Sequence, residues 1–243
     1  MIRDKGPTDR RTCVREEPSG RWESMMNVDR RQLLLAGTAG IALLAASAIG
    51  MGHLAPLAAS PVDSEELATP GPLGERALGD PDAPVTIVEY ASLTCSHCAQ
   101  FHKLTYPQLK EKYIDTGQVY FIFREFPLDP VATAAFMLTR CVPEEQYFPF
   151  VDALFANLDV WAYTNDRVAG LKQMGRQVGI TEEKFEACLT NQELLDGVNW
   201  VKQRGAEQFD VNSTPTFFVN GEIHRGALPF EQFEKLIEPH LPS

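Results

Sequence analysis

The chain has 243 residues, enough for one large domain or two small ones, and 44% of them are hydrophobic, which suffices for a buried core. Its formal net charge is −11, and the acidic excess lies after residue 48, because the first 48 residues contain eight Lys or Arg against six Asp or Glu. An acidic body of this size argues against nucleic acid or an anionic membrane surface as a partner.

Residues 1–48 are predicted to be an export signal. Arg30 and Arg31 directly precede an apolar stretch, 33–44, and small residues follow at 46–48, where a signal peptidase would cleave. The Arg-Arg-x-Leu-Leu pattern resembles a twin-arginine signal with atypical flanking residues, so the Tat route and ordinary Sec secretion both stay open. We therefore expect a periplasmic or cell-envelope location. If the signal is not cleaved, residues 33–52 are long enough to anchor the chain in a membrane.

Residues 49–75 are predicted to form a flexible linker. Four prolines, Pro56, Pro61, Pro70 and Pro72, occur there among Ala, Ser and Glu, without a sustained apolar period. The stretch 69–79 would at most add a short edge strand to the domain that follows.

Residues 76–243 alternate strand and helix patterns. The apolar run 85–90 is typical of a buried strand, and the apolar positions between 95 and 116 fit one amphipathic helix that ends at Gly117. Asp129 and Pro130 then predict a helix N-terminus. The remaining predicted elements are a strand over 119–126, helices over 131–142, 144–157, 165–178, 182–189 and 191–209, a hairpin over 217–219 and 223–226, and a closing helix over 230–240.

Two cysteines, Cys95 and Cys98, lie where the first long strand is followed by a helix. Unpaired N–H groups in the first helical turn and the helix dipole favour a thiolate, which is the reactive form of cysteine. Residues i and i+3 share a helix face, so the spacing predicts dithiol–disulfide chemistry with Cys95 as the exposed nucleophile and Cys98 as the shielded resolving thiol. A metal site would also need His97 and His102, and one helix cannot turn all four side chains inward, so no metal is expected.

Thr214 and Pro215 lie far downstream, where a proline that opens a strand fits a cis peptide bond. Together with 85–90, the Cys95–Cys98 motif and 121–128, they resemble the DsbA-like branch of the thioredoxin superfamily over roughly residues 76–240. The resemblance implies an α/β thioredoxin-like fold, a central sheet flanked by helices, with an all-helical subdomain inserted at about 130–210. It also implies that the Thr214-Pro215 loop binds an extended substrate strand beside the first cysteine.

Three more residues are expected to act near the thiols. Ser96 and His97, between the cysteines, would set the redox poise, because a histidine there stabilises the neighbouring thiolate and makes the disulfide more oxidising. In the family, an acidic residue at the position of Glu89 lies beneath the thiols and helps proton transfer, and burial should raise its pKa. The alternative, a structural pairing of Glu89 with Arg124 or Lys103, stays open.

The other histidines and cysteines are expected to be structural. His102, His224 and His240 are interpreted as surface or helix-cap residues. Cys141 and Cys188 both lie in the predicted helical insertion, and some DsbA-like proteins carry a second, non-catalytic pair, so a structural disulfide is expected. Two buried free thiols are the alternative, because the separation of the two residues in space does not follow from sequence.

The sequence therefore predicts an exported thiol–disulfide oxidoreductase that transfers the Cys95–Cys98 disulfide to unfolded or partly folded envelope proteins. The dithiol is itself the redox centre, so no dissociable cofactor is expected, and the resemblance implies a quinone-linked membrane oxidase of the DsbB type as the reoxidising partner. Two alternatives stay open. One is a disulfide isomerase or reductase for misoxidised or specific clients, and the other is a non-enzymatic periplasmic binding protein or chaperone.

Overall fold

The computed structural model describes residues 62–242, which form a five-stranded mixed sheet flanked by helices. This architecture confirms the predicted thioredoxin-like fold. The second and third strands of the chain pair in parallel, and all other neighbours in the sheet are antiparallel. In sheet order, the strands are β1 (Ala77–Leu78), β3 (Val119–Glu125), β2 (Val85–Ala91), β4 (Thr216–Val219) and β5 (Glu222–Arg225).

The central strand β2 is covered on both faces, which explains its nearly continuous apolar sequence. Val85 and Ile87 point into the larger core, on the side of the helix that follows β2. Val88 and Tyr90 point to the opposite face, into a smaller cluster. Because side chains alternate along a strand, Glu89 faces the same side as Ile87, towards that helix.

The helix predicted over 95–116 is broken into three pieces. Helix α2 (Ser96–Leu104) ends at Thr105, helix α3 (Tyr106–Leu109) follows at once, and a π-helical turn spans Lys110–Ile114. Pro107 accounts for the break, because proline has no N–H to donate and its ring clashes with the preceding helical turn.

The inserted region is helical, as expected from the sequence. Asp129 caps its first helix, since its Oδ1 accepts hydrogen bonds from the N–H groups of Val131 and Ala132 at 2.8 and 2.9 Å. A disulfide joins Cys141 to Cys188 within this region. The helices are α4 (Pro130–Thr139), α5 (Glu144–Ala156), α6 (Leu158–Trp161), α7 (Arg167–Gln177), α8 (Glu182–Leu189) and α9 (Gln192–Gln208), and the closing helix α10 (Phe230–Ile237) follows β5.

The described part of the predicted linker is not flexible chain: residues 62–75 pack on the domain. Helix α1 (Ser64–Ala68) buries Leu67, which is 2% exposed. Arg204 of α9 donates hydrogen bonds to the main-chain oxygens of Glu66 and Thr69 at 2.5 and 2.8 Å. A burial site for Leu67 and a donor from a distant helix hold the segment in place, and neither is visible in its local composition.

The short strand β1 lies at the edge of the sheet, as expected for residues 69–79. The predicted export signal (1–48), the possible anchor (33–52) and the rest of the predicted linker (49–61) lie outside the described residues. Among residues 62–242, the structure has no helix that combines the length and apolar character needed to cross a membrane.

Candidate active site

The two cysteines of the motif have very different surroundings. Cys95 is the N-cap residue of α2 and is partly exposed, whereas Cys98 is completely buried at 0% exposure. Both are free thiols, and the Sγ of Cys95 lies 3.4 Å from the main-chain oxygen of Thr214. The sheet thus places the first thiol of the motif against the Thr214-Pro215 loop.

The environment of Cys95 favours its thiolate. A hydrogen bond from the Cys98 thiol has the largest effect, and the pKa of Cys95 falls to about 5 although partial burial opposes the shift. The main-chain N–H groups of Cys98 and His97 lower the pKa further. Several donors thus converge on one sulfur at the start of a helix, which is the arrangement that activates a cysteine.

Cys98 behaves in the opposite way. Burial raises its pKa well above the ordinary value, and its hydrogen bond to Cys95 and the charge of Glu89 raise it further. At neutral pH the reduced pair therefore holds a thiolate at Cys95 and a protonated thiol at Cys98.

The two residues between the cysteines both lie at the surface. Ser96 and His97 are exposed, and what His97 contributes to Cys95 is its main-chain N–H. Within residues 62–242, the structure shows no hydrogen bond from the His97 ring. The main chain of His97 therefore contributes to the thiolate, and the expected role of its ring stays a prediction.

Glu89 is fully buried in β2 and pairs with a histidine. Its Oε2 lies 3.1 Å from Nε2 of His102, which is 6% exposed, so the prediction that His102 is a surface residue was wrong. The proposed structural partner Arg124 instead contacts Glu75 at 2.8 Å. The second ring nitrogen of His102, Nδ1, lies 3.1 Å from Oδ1 of Asp152 in α5.

Burial and pairing shift the pKa values of Glu89 and His102. Burial raises the pKa of Glu89, and the positive charge of His102 only partly offsets this effect. For His102, burial acts to lower the pKa, but the charge of Glu89 and the hydrogen bonds that the ring donates to Asp152 and Glu89 outweigh it and raise the value to about 9. In the reduced protein His102 is therefore positively charged at neutral pH.

Sequence reasoning missed His102, although a signal was present. Residues four apart share a helix face, so the burial expected for Cys98 also applied to His102. Asp152 carries no such signal, because it reaches His102 only through the docking of α5 on α2.

The Thr214-Pro215 loop is held against the last hairpin. Its Thr214–Pro215 peptide bond is cis, and the oxygen of Pro215 accepts a hydrogen bond from Gly226 N at 2.8 Å.

The turn just before Cys95 is held by residues of the inserted region. Thr94 donates to Asp129 Oδ2 at 2.6 Å, and the main-chain oxygen of Thr94 accepts a hydrogen bond from the Tyr163 hydroxyl at 3.0 Å. The inserted helices therefore help to position the turn that carries Cys95.

Comparison with known proteins places this site in context. A family model described as Thioredoxin matches residues 73–239. A Rickettsia conorii protein named as a protein-disulfide oxidoreductase is 36% identical over 152 residues, which are 60% of this chain and 53% of that protein. The match thus spans about half the length of that relative.

Two further comparisons cover most of the partner's length. The disulfide bond formation protein D of Bacillus cereus is 27% identical over 176 residues, 69% of this chain and 79% of that protein. The crystal structure of alpha-DsbA1 from Wolbachia pipientis is 35% identical, with a TM-score of 0.67, and the match covers 73% of this chain and 95% of that one.

Proposed function

Because the chain belongs to the DsbA-like protein-disulfide oxidoreductases of the thioredoxin superfamily, we propose that it donates the Cys95–Cys98 disulfide to envelope proteins as they fold. The observation that carries the proposal is that the two thiols differ in exposure and in pKa. Cys95 is partly exposed and has a pKa of about 5, whereas Cys98 is buried and its pKa is raised. A stable Cys95 thiolate favours the reduced form, so the oxidised form readily gives its disulfide away.

The proposed reaction begins when a client thiolate attacks the Sγ of Cys95. The Cys95–Cys98 bond breaks, its electron pair leaves on Cys98, which takes up a proton, and a mixed disulfide links Cys95 to the client. A second client thiolate then attacks the client sulfur of that mixed disulfide and releases Cys95 as a thiolate. The client loses two electrons and the enzyme gains them.

The Thr214-Pro215 loop is the proposed docking edge for the client. It lies against Cys95 through the 3.4 Å contact to the Thr214 oxygen. An extended client segment alongside this loop would present its cysteine to the exposed sulfur.

We assign this activity to the periplasm or cell envelope, on the strength of the export signal expected in residues 1–48. A quinone-linked membrane oxidase of the DsbB type is the proposed reoxidising partner, by resemblance to the family. No dissociable cofactor enters the proposed reaction, since the dithiol carries both electrons.

The proposal is tested by mixing the oxidised protein with an equimolar amount of a reduced, unfolded protein that has two cysteines. We expect the client disulfide to form while the Cys95–Cys98 pair becomes reduced. Cys95→Ser and Cys98→Ser should both be inactive, because neither variant can hold the disulfide that is donated.

Two results would contradict the donor function. One is a reduction potential near that of thioredoxin, about −270 mV, which would mark a reductant. The other is faster repair of a scrambled client than oxidation of a reduced one, which would favour the isomerase alternative.

A further inference from the structure

In the proposed reaction, the buried sulfur of Cys98 must gain and lose a proton without contact with water. The sulfur gains a proton when the disulfide opens and loses one when the disulfide re-forms, yet the exposed fraction of Cys98 is 0%. An unpaired charge is costly in such surroundings, so a neighbouring group must supply and remove the proton. Glu89 is suited to exchange this proton, because its charge acts on Cys98 and its Oε1 is buried without a hydrogen-bond partner in the described part of the chain.

Glu89 is itself cut off from water, but it is linked to the surface. Its Oε2 contacts Nε2 of His102 at 3.1 Å, and Nδ1 of the same ring contacts Oδ1 of Asp152 at 3.1 Å. The Asp152 side chain is 45% exposed and lines an open cavity of about 570 Å³. A continuous hydrogen-bonded path therefore runs from the buried carboxylate to water.

Aromatic rings hold His102 in the middle of this path. Phe155 stacks on the imidazole at 4.4 Å between ring centroids, and Tyr106 lies at 4.8 Å. Phe101 and Phe123 contact it edge-on at 5.4 and 5.8 Å. These rings leave the two nitrogens facing the two carboxylates.

We propose that His102 and Asp152 are the proton conduit of Cys98: Glu89 exchanges a proton with the sulfur, His102 gains or loses a proton to balance the charge of Glu89, and Asp152 exchanges that second proton with water. The proposal rests on the thiol–disulfide chemistry proposed above. It assigns Asp152, in the inserted subdomain, a role in the chemistry of the thioredoxin-like part.

The protons gained and lost are equal in number in each half of the cycle. When the disulfide opens, Glu89 Oε1–H gives its proton to the Cys98 thiolate, and neutral His102 takes one from water through Asp152 and becomes the imidazolium that pairs with the new carboxylate. When the disulfide re-forms, Cys98 returns its proton to Glu89, and His102 releases one through Asp152. The three side chains hold two protons in both states, so no ring or carboxyl group has to rotate.

The charged and titratable groups around the path come from several elements. Glu89 lies on β2, Asp152 on α5, and the two active-site thiols at the start of α2. Beyond these, Tyr106 packs against the ring. The cavity that Asp152 lines also contains Lys103, Asp159 and Tyr163, and a second cavity lined by Asp152 contains Arg76, Lys110, Glu144 and Glu145. Both salt bridges that the structure shows for Glu89 and Asp152 are to His102.

The experiment is Asp152→Asn, compared with Asp159→Asn as a matched control that removes the same charge from the same cavity. The amide introduced at position 152 keeps the size of the side chain and still accepts a hydrogen bond, but it cannot carry a proton. Cys95 is first linked to glutathione, and glutathione release by Cys98 is followed by stopped flow from pH 5 to 9. We expect D152N to slow release on the order of tenfold at pH 7, and D159N to leave it unchanged.

Buffer dependence separates proton transfer from a structural role. At constant pH and ionic strength, added imidazole should restore the D152N rate in proportion to its concentration, because it reaches position 152 from the cavity. Equal rates of glutathione release for D152N and D159N would overturn the proposed conduit. A slow D152N rate that does not increase with the imidazole concentration would also overturn it. Because this assay needs no client protein, failure of the conduit and failure of the disulfide-donor function give different results.

Discussion

Glu125 at the end of β3 and Arg140 just after α4 form a buried ion pair. Nε and Nη2 of Arg140 both lie 2.5 Å from Oε1 of Glu125, and the side chains of Arg140 and Glu125 are 3% and 0% exposed. Arg140 also donates to the main-chain oxygens of Leu73 and Gly74 at 3.0 and 3.1 Å. The pair thus joins the sheet, the first inserted helix and the segment that precedes β1.

Removing one partner of this pair should be costly. Arg140→Met leaves a buried carboxylate without its counter-charge, so we expect the free energy of unfolding to fall by about 3 kcal/mol in urea denaturation. The double variant Glu125→Gln/Arg140→Met should recover part of this loss, since no buried charge then remains. Lys110→Met, which removes the exposed pair with Asp115, should cost less than about 1 kcal/mol. A loss for R140M no larger than that for K110M would contradict the prediction.

The alkylation rate of Cys95 should titrate with a midpoint near pH 5, since the hydrogen bond from Cys98 and the other donors lower its pKa to about 5. Cys98→Ala removes the donor with the largest effect on the Cys95 sulfur, so the midpoint should rise by more than about one pH unit. Thr216→Val is the control, because its hydroxyl donates to the main-chain oxygen of Ser213 at 2.8 Å. If both variants shift the midpoint equally, the effect does not come from the Cys98 thiol.

His102 should make stability depend on pH in the alkaline range. Although burial opposes it, pairing with Glu89 and Asp152 raises the pKa of His102 to about 9 in the folded protein, above its ordinary value. The stabilisation is therefore complete below about pH 6.5 and is lost as the pH rises through 9. His102→Gln should cost on the order of 2 kcal/mol at pH 6 and much less at pH 10, measured by urea denaturation of the reduced protein. With exposed His240→Gln, we expect no such trend; a cost for H102Q that stays constant from pH 6 to 10 would show that the charge contributes nothing.

Two glycines in helices should respond in opposite ways to alanine. A Cβ on Gly205 of α9 would lie 2.6 Å from Cε1 of the buried Tyr90. Overpacking should therefore outweigh the helical preference for alanine, and Gly205→Ala should lose about 1–2 kcal/mol. A Cβ on Gly175 of α7 would meet only ordinary contacts, with Ile180 at 3.5 Å, so Gly175→Ala should gain up to about 1 kcal/mol. Thermal unfolding of both variants measures the change in stability. A change of the same sign in the two variants would refute the packing argument.

The sequence could predict what local chemistry determines. The apolar run of β2, the thiols at a helix start and the Asp129 cap each depend on neighbours in the chain. Pro107 also indicates the break in the helix predicted over 95–116, although the apolar positions on both sides of it fit one continuous helix. The partner of His102 and the structure of residues 62–75 depend instead on surfaces that meet only after folding, so no local pattern specifies them.

The separation of Cys95 and Thr214 by 119 positions along the chain also bears on how the protein matures. A chain whose last hairpin has not yet joined the sheet cannot place the Thr214 loop against Cys95. Before the site is assembled, Cys95 stays closer to an ordinary cysteine, which is largely protonated and unreactive at neutral pH. Full nucleophilic strength is thus acquired at the end of folding, which protects the incomplete chain from exchange with the disulfides around it.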